Sequence, residues 1–293
     1  MKIIYRDPNV TVFQSALFQT NSTVVVTDDM VLVVDPAWLP DEVLAIRNYV
    51  DAQRKGRPIW LLFTHSDYDH IIGYGAFLDA GVICSRQLIQ NPKKEAILEQ
   101  ILQFDEANYI QRDYPIVYPE KADFEVFRDG TNFKLGSTRM TFYLASGHTN
   151  DGVFCVVWQL GLCFAGDYLC NVEFPFIYFS SVEYEKTLQK ISKIHDKTWF
   201  VRLIPGHGDL AMTIQEWLNR RNDGLAYIHE LHESVRLKKP FDEEKLWEKF
   251  HFKRLQKKYH DNNLKLVQRE FEELGKEMFA HKRGAASPPE TAE

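Results

Sequence analysis

Between Thr64 and Gly73 the chain reads THSDYDHIIG, and four of those residues are of metal-ligating type: His65, Asp67, Asp69 and His70. Imidazole and carboxylate are the donors that hold zinc, iron or manganese. Three shorter stretches repeat the theme. Ser146-Gly147-His148-Thr149, Ala165-Gly166-Asp167 and Pro205-Gly206-His207-Gly208 each follow an apolar run, and each sets a candidate ligand beside glycine. The candidates are therefore His65, Asp67, Asp69, His70, His148, Asp167 and His207. That set suffices for two metals sharing one carboxylate, with positions left for water, and its natural chemistry is metal-assisted hydrolysis.

The elements that must position these residues are short buried strands. Ile59 to Phe63, Met140 to Ala145, Val153 to Cys163 and Phe200 to Ile204 are apolar runs that end where the candidates begin. Side chains at such ends can converge on one rim of a sheet, and glycine lets the backbone turn away there. Upstream, Thr23 to Val26 and Met30 to Val34 are β-branched runs around a Thr27-Asp28-Asp29 turn, closed by Asp35-Pro36. Leu39 to Arg54 reads as a helix with Val43, Ile46 and Val50 on one side. Ile71 to Leu78 and residues 86 to 112 also read as helical, Val82 to Cys84 as a strand, and several strands are expected between about 122 and 166. Ser180 and Glu183 form a capping box for a helix to about Ile194, and another helix is expected from about Thr213 to Val235. Leu264, Val267, Phe271, Leu274 and Met278 recur at three- and four-residue steps behind Asp261 as N-cap. Strands in hairpins, then strands alternating with helices, predict mixed sheets covered by helices. Residues 1–281 form one expected domain, with its C-terminal helices from about 213, and 282–293 are expected to be a disordered tail.

Composition narrows the partners. A chain of 293 residues with 45% hydrophobic and 26% charged residues has ample material for a core. A net charge of -6 offers no basic face to a phosphate backbone, so no nucleic-acid partner is expected. No run reaches the ~18 apolar residues of a membrane span, and MKIIYRDPN does not read as a secretory signal. Cys84, Cys155, Cys163 and Cys170 lie in or beside apolar runs and read as free thiols of a cytoplasmic protein. The expected partner is a small-molecule substrate, and the oligomeric state is left open.

His65-x-Asp67-x-Asp69-His70, His148 in a GHT turn, Asp167 in a GD turn and His207 in a GHG turn resemble, in order, the motifs of the metallo-β-lactamase-fold hydrolases over roughly residues 10 to 235. Asp35 of VVDPAW fits the acidic residue that ends an early strand there. The resemblance implies an α+β fold, a four-layer αββα sandwich with the site at one edge of its sheets. It also implies that His65, residue 67 and His148 hold one metal, that Asp69, His70 and His207 hold the other, and that Asp167 bridges them. A hydroxide between the two divalent ions would attack a carbonyl or phosphorus centre, with Asp69 and Asp167 the candidate catalytic carboxylates.

Asp67 departs from the family, most of whose hydrolases carry histidine there. A carboxylate is a harder, anionic ligand, and should turn a zinc site toward iron or manganese. The expected function is hydrolysis of a small ester, thioester or lactone. A phosphodiesterase would need cationic groups beside the motifs, and none clusters there. A diiron redox or gas-sensing protein is the non-hydrolytic alternative. Phe174 to Phe179 reads either as a pocket wall or as core, Tyr68 and Tyr74 as neighbours of the ligands, and His229 and His232 as a solvated helix face. Segments 86–120 and 170–182 are expected to decide the substrate.

Overall fold

The computed structural model describes residues 1–284; of the expected tail, 285–293 lie outside the described residues and 282–284 end the last helix. Two sheets form the centre. The first runs in chain order through β1 (Lys2–Arg6), β2 (Val10–Gln14), β3 (Asn21–Val26), β4 (Val31–Val34), β5 (Ile59–Leu62), β6 (Gly81–Ser85) and β7 (Phe124–Val126). It is antiparallel to β4 and parallel beyond. The second contains β8 (Thr131–Leu135), β9 (Thr138–Leu144), β10 (Val153–Val157), β11 (Leu162–Phe164) and β12 (Arg202–Ile204), with β11 and β12 parallel and the other pairs antiparallel.

Alternation along the strands builds the layers. In β4, Leu32 and Val34 enter the core between the sheets, while Val31 and Val33 join an outer core with Val43, Ile46 and Val50 of α1 (Pro40–Arg54). In β10, Cys155 faces the inner core, and Phe154 and Val156 face outward. Strands covered on both faces read as unbroken apolar runs, as the sequence showed. After α1 come α2 (Tyr68–Ile71), α3 (Arg86–Ile89) and α4 (Lys94–Ala107). The outer side of the second sheet is covered from α5 (Ser181–Thr198), α6 (Ile214–Leu237), α7 (Glu243–Lys249) and α8 (Lys253–Gly284), which together supply Ile191, Ile228, Leu231, Leu246 and Val267 to its core. The fold is the expected α+β sandwich with C-terminal helices added.

Several elements differ from expectation. Residues 86–112 are two helices rather than one, broken at Asn91-Pro92, because proline cannot continue the ladder. Ile71 to Leu78 is not a helix; α2 ends at Ile71 and a single 3-10 turn spans Tyr74–Phe77, where two glycines weaken helix formation. α8 starts at Lys253, not behind Asp261, whose carboxylate pairs with Lys257 at 2.6 Å. The buried face of that first stretch is Gln256, His260 and Asn263, so it carries no apolar signal. Ser180 Oγ does accept from Glu183 N, at 3.4 Å, whereas the Glu183 side chain turns to Lys186. Cys84, Cys155 and Cys163 are buried free thiols, and Cys170 is a half-buried one. Among the described residues no helix is long and apolar enough to cross a membrane.

Candidate metal centre

Each predicted ligand sits where a strand ends. His65 follows β5, and Asp67 stands just before the short helix α2 that carries Asp69 and His70. His148 lies in the turn from β9 to β10, Asp167 follows β11, and His207 follows β12. The structure brings all seven together in two groups whose donor atoms lie within 4.8 Å of one another: His65, Asp67, His148 and Asp167, and Asp69, His70 and His207.

Every histidine is fixed through its Nδ1. His70 Nδ1 meets Asp35 Oδ2 at 3.0 Å, and His65 Nδ1 meets Thr64 Oγ1 at 3.0 Å. Thr64 in turn donates its hydroxyl to Asp35 Oδ2 at 2.5 Å and its N–H to Asp35 Oδ1 at 2.9 Å. One carboxylate therefore orients two rings. His148 Nδ1 donates to the Phe176 carbonyl at 2.7 Å, and His207 Nδ1 to that of Phe18 at 2.9 Å. A ring held this way presents its other nitrogen as the donor to a metal. The Nε2 atoms converge on Asp167: His70 lies 3.1 Å from Oδ1, and His148, His207 and His65 lie 3.2, 3.3 and 3.7 Å from Oδ2. Asp67 Oδ2 is 3.1 Å from His148 Nε2, and Asp69 Oδ2 is 3.5 Å from His207 Nε2.

Glycine is required at two of the turns. Gly206 packs so tightly that a Cβ there would strike Asp167 Oδ1 and lie 2.9 Å from His70 Cε1. Gly147 has a φ of +133° and backs onto the main chain of Tyr184, which positions His148 beside it.

The electrostatics are those of a cation site. Burial pushes the His65 imidazole down to about 3. For His207 burial also opposes the charge, but Asp167 and Glu173 outweigh it and hold the pKa at about 10. His70 and His148 are likewise held well above the usual range against burial, chiefly by Asp167. Asp167 itself stays well below the carboxylate range, because the surrounding histidines overcome its burial. His65 Nε2, His70 Nε2 and Asp167 Oδ1 are buried without a hydrogen bond of good geometry, the 3.1 Å approach of the last two included. Buried polar atoms are seldom left so, and three aimed at common points fit divalent ions. The residues present suit two such ions.

Over the ligands lies a cleft of about 50 Å³ walled by Phe18, Trp38, Tyr68, Phe176, Tyr178 and Tyr259, with Glu173 at its side. None of its lining residues is Lys or Arg. The 174–179 stretch divides between both expected roles, since Phe176 and Tyr178 line the cleft while Phe174 packs on Tyr227 at 4.9 Å. Tyr68 borders the cleft, but Tyr74 packs against Phe63 instead. Segment 86–120 does not reach it. That segment acts through Trp38, on which Phe104 packs at 4.8 Å and whose carbonyl accepts from Arg112 Nη1 at 2.8 Å. Phe18, Trp38, Glu173 and Tyr259 were missed from sequence because none sits in a ligand motif. Of the expected solvated helix face, His229 is exposed and meets Glu185 at 3.1 Å, whereas His232 is partly buried and meets Ser181 Oγ at 2.7 Å.

The metallo-beta-lactamase superfamily profile matches residues 16–226, well over half of the chain. Among curated proteins no relative matches. Similar solved structures include a metallo-beta-lactamase family protein from Thermus thermophilus, with 16% identity, a TM-score of 0.56, and coverage of 78% of this chain and 82% of that one. A metallo-beta-lactamase from Pontibacter korlensis shows 15% identity and a TM-score of 0.53 over 78% of this chain and 98% of that chain. The stereoselective inverting sec-alkylsulfatase Pisa1 from Pseudomonas sp. shows 13% identity and a TM-score of 0.62 over 80% of this chain and 42% of that chain. At such identities the likeness is one of fold. The chain belongs to the metallo-beta-lactamase superfamily.

Proposed function

We propose that this member of the superfamily is a dinuclear metal-dependent hydrolase of a small, uncharged ester, thioester or lactone, taking ester and water to acid and alcohol. The observation that carries this reading is the convergence of four oriented Nε2 atoms on Asp167, beneath a cleft with no basic side chain. His65, Asp67 and His148 would hold one ion, Asp69, His70 and His207 the other, and Asp167 both. Two bound divalent ions supply Lewis acidity and a nucleophilic water at neutral pH.

The chain's own residues do the rest. Asp35 and the carbonyls of Phe176 and Phe18 keep the rings aligned, so little reorganisation is needed as charge develops. The aromatic walls exclude water and hold the apolar part of a substrate. The cleft offers no Lys or Arg to hold a phosphate or sulfate, which argues against phosphodiesters and sulfate esters. Metal-loaded protein assayed against ester, thioester, lactone and phosphodiester panels tests the reading. Turnover is expected on one of the first three, and Asp167→Ala abolishes it. Failure on all three with both metals bound, or an active Asp167→Ala, would overturn it.

A further inference from the structure

Behind Glu173 lies a second, larger space. A cavity of about 250 Å³ opens between the loop after Asp167 and helices α5, α6 and α7. Its body is apolar, walled by Leu169, Phe174, Leu188, Tyr227, Leu246 and Phe250. Protein interiors are close-packed, so an apolar volume of this size beside the candidate metal centre calls for an occupant. Asp167 and Glu173 line both this cavity and the aromatic cleft, so the two spaces adjoin at the edge of the metal ligands.

The chemistry of the two ends defines the occupant. At the inner end the cavity reaches the metal ligands at Asp167, where a scissile carbonyl would lie, with the Glu173 carboxyl beside it. At the outer end Lys249 is paired with Asp223, and Arg220 donates to the carbonyls of Leu169, Asp209 and Leu210. Lys245, the third cation of the lining, is exposed on α7, so recognition in the body of the cavity rests on apolar area. An apolar cavity of ~150 Å³ accepts benzene, so the space here suits about eight to ten carbons.

We propose that this cavity takes the aliphatic chain of the substrate, an uncharged ester, thioester or lactone of medium chain length whose scissile carbonyl lies at the metal ligands. This rests on the hydrolytic reading and names its substrate class. Each methylene buried is worth up to about fourfold in affinity, so the chain-length preference is large.

The test uses Ala226→Trp, a change on the exposed side of α6 where Ala226 borders the cavity. Metal-loaded wild type and variant are assayed with p-nitrophenyl acetate, butanoate and octanoate, and 1-octanol binding is measured by calorimetry. In the wild type kcat/KM rises from acetate to octanoate and octanol binds. In the variant the octanoate-to-acetate ratio falls by about tenfold or more, and octanol binding weakens in step. An unchanged ratio, or equal octanol affinity in both proteins, overturns the proposal. Octanol binding lost in the variant, with no ester turned over by either protein, keeps the apolar-chain site and counts against the hydrolytic reading alone.

Discussion

At the scale of single residues, Asp67 is the position with most to say about the metal. Its carboxylate lies 3.1 Å from His148 Nε2 and 3.8 Å from His65 Nε2, close enough to share an ion with both. Burial disfavours its charge, but the hydrogen bond from His148 and that ring's charge keep it ionised below the usual carboxylate range. Three carboxylates in the paired site offset about three of the four positive charges two divalent ions bring, and oxygen donors suit harder metals. Protein produced without added zinc is therefore expected to carry iron or manganese in substantial proportion. Asp67→His moves occupancy toward zinc, and Asp67→Ala depletes the first group while Asp69, His70 and His207 retain their ion. Elemental analysis of the three proteins checks this; the same metal content in all would remove Asp67 from the ligand set. That the seven candidates could converge was legible because each lies in a short motif that follows an apolar run. Glu173 was not, since its place beside the ligands depends on how the 169–175 loop packs, which no local spacing records.

At the scale of elements, a buried amide of the C-terminal helix clamps the loop that orients a metal-centre histidine. Asn263 of α8 accepts from Ile177 N at 2.9 Å and donates to the Pro175 carbonyl at 2.6 Å and to Tyr227 Oη at 3.0 Å. The loop it clamps includes Phe176, whose carbonyl fixes the His148 ring and whose own ring stacks on Tyr259 at 4.2 Å. Asn263→Ala leaves the Ile177 N–H and the Pro175 carbonyl unsatisfied, a cost of about 2 kcal/mol. Loosening the loop also loosens His148, so metal affinity at the first group falls, although Asn263 touches no ligand. Denaturant unfolding and chelator competition read the two effects; a stability loss with unchanged metal affinity would break the coupling. The same helix shows where the sequence stopped speaking. Helices and strands with apolar faces, such as α1 and β5, were readable from periodicity. The first turns of α8 bury Gln256, His260 and Asn263, so their registration became visible only through the partners they meet in the fold.

At the scale of the whole molecule, the centre links protons, metals and stability. His207 titrates at about 10 in the folded metal-free protein, and His70 and His148 are also raised well above 6.5, mainly by Asp167 once burial has been overcome. A raised histidine stabilises the fold fully below its unfolded pKa of 6.5, and that contribution is lost as pH rises through the folded value. His65 acts oppositely, costing stability as pH falls from 6.5 toward about 3, because burial disfavours its charge. Asp167, lowered by its histidines, contributes stability above the ordinary carboxylate range and loses it as pH drops further. The metal-free protein is therefore expected to become less stable between pH 6.5 and 10. Metal binding needs those same nitrogens deprotonated, so it strengthens across that window and restores the countercharge the protons supplied. The gap in Tm between metal-loaded and chelator-treated protein should accordingly widen from pH 6.5 to 9. Thermal unfolding at half-unit pH steps measures it. A gap that stays constant or narrows would mean that the carboxylates draw their stabilising charge from elsewhere than these three rings.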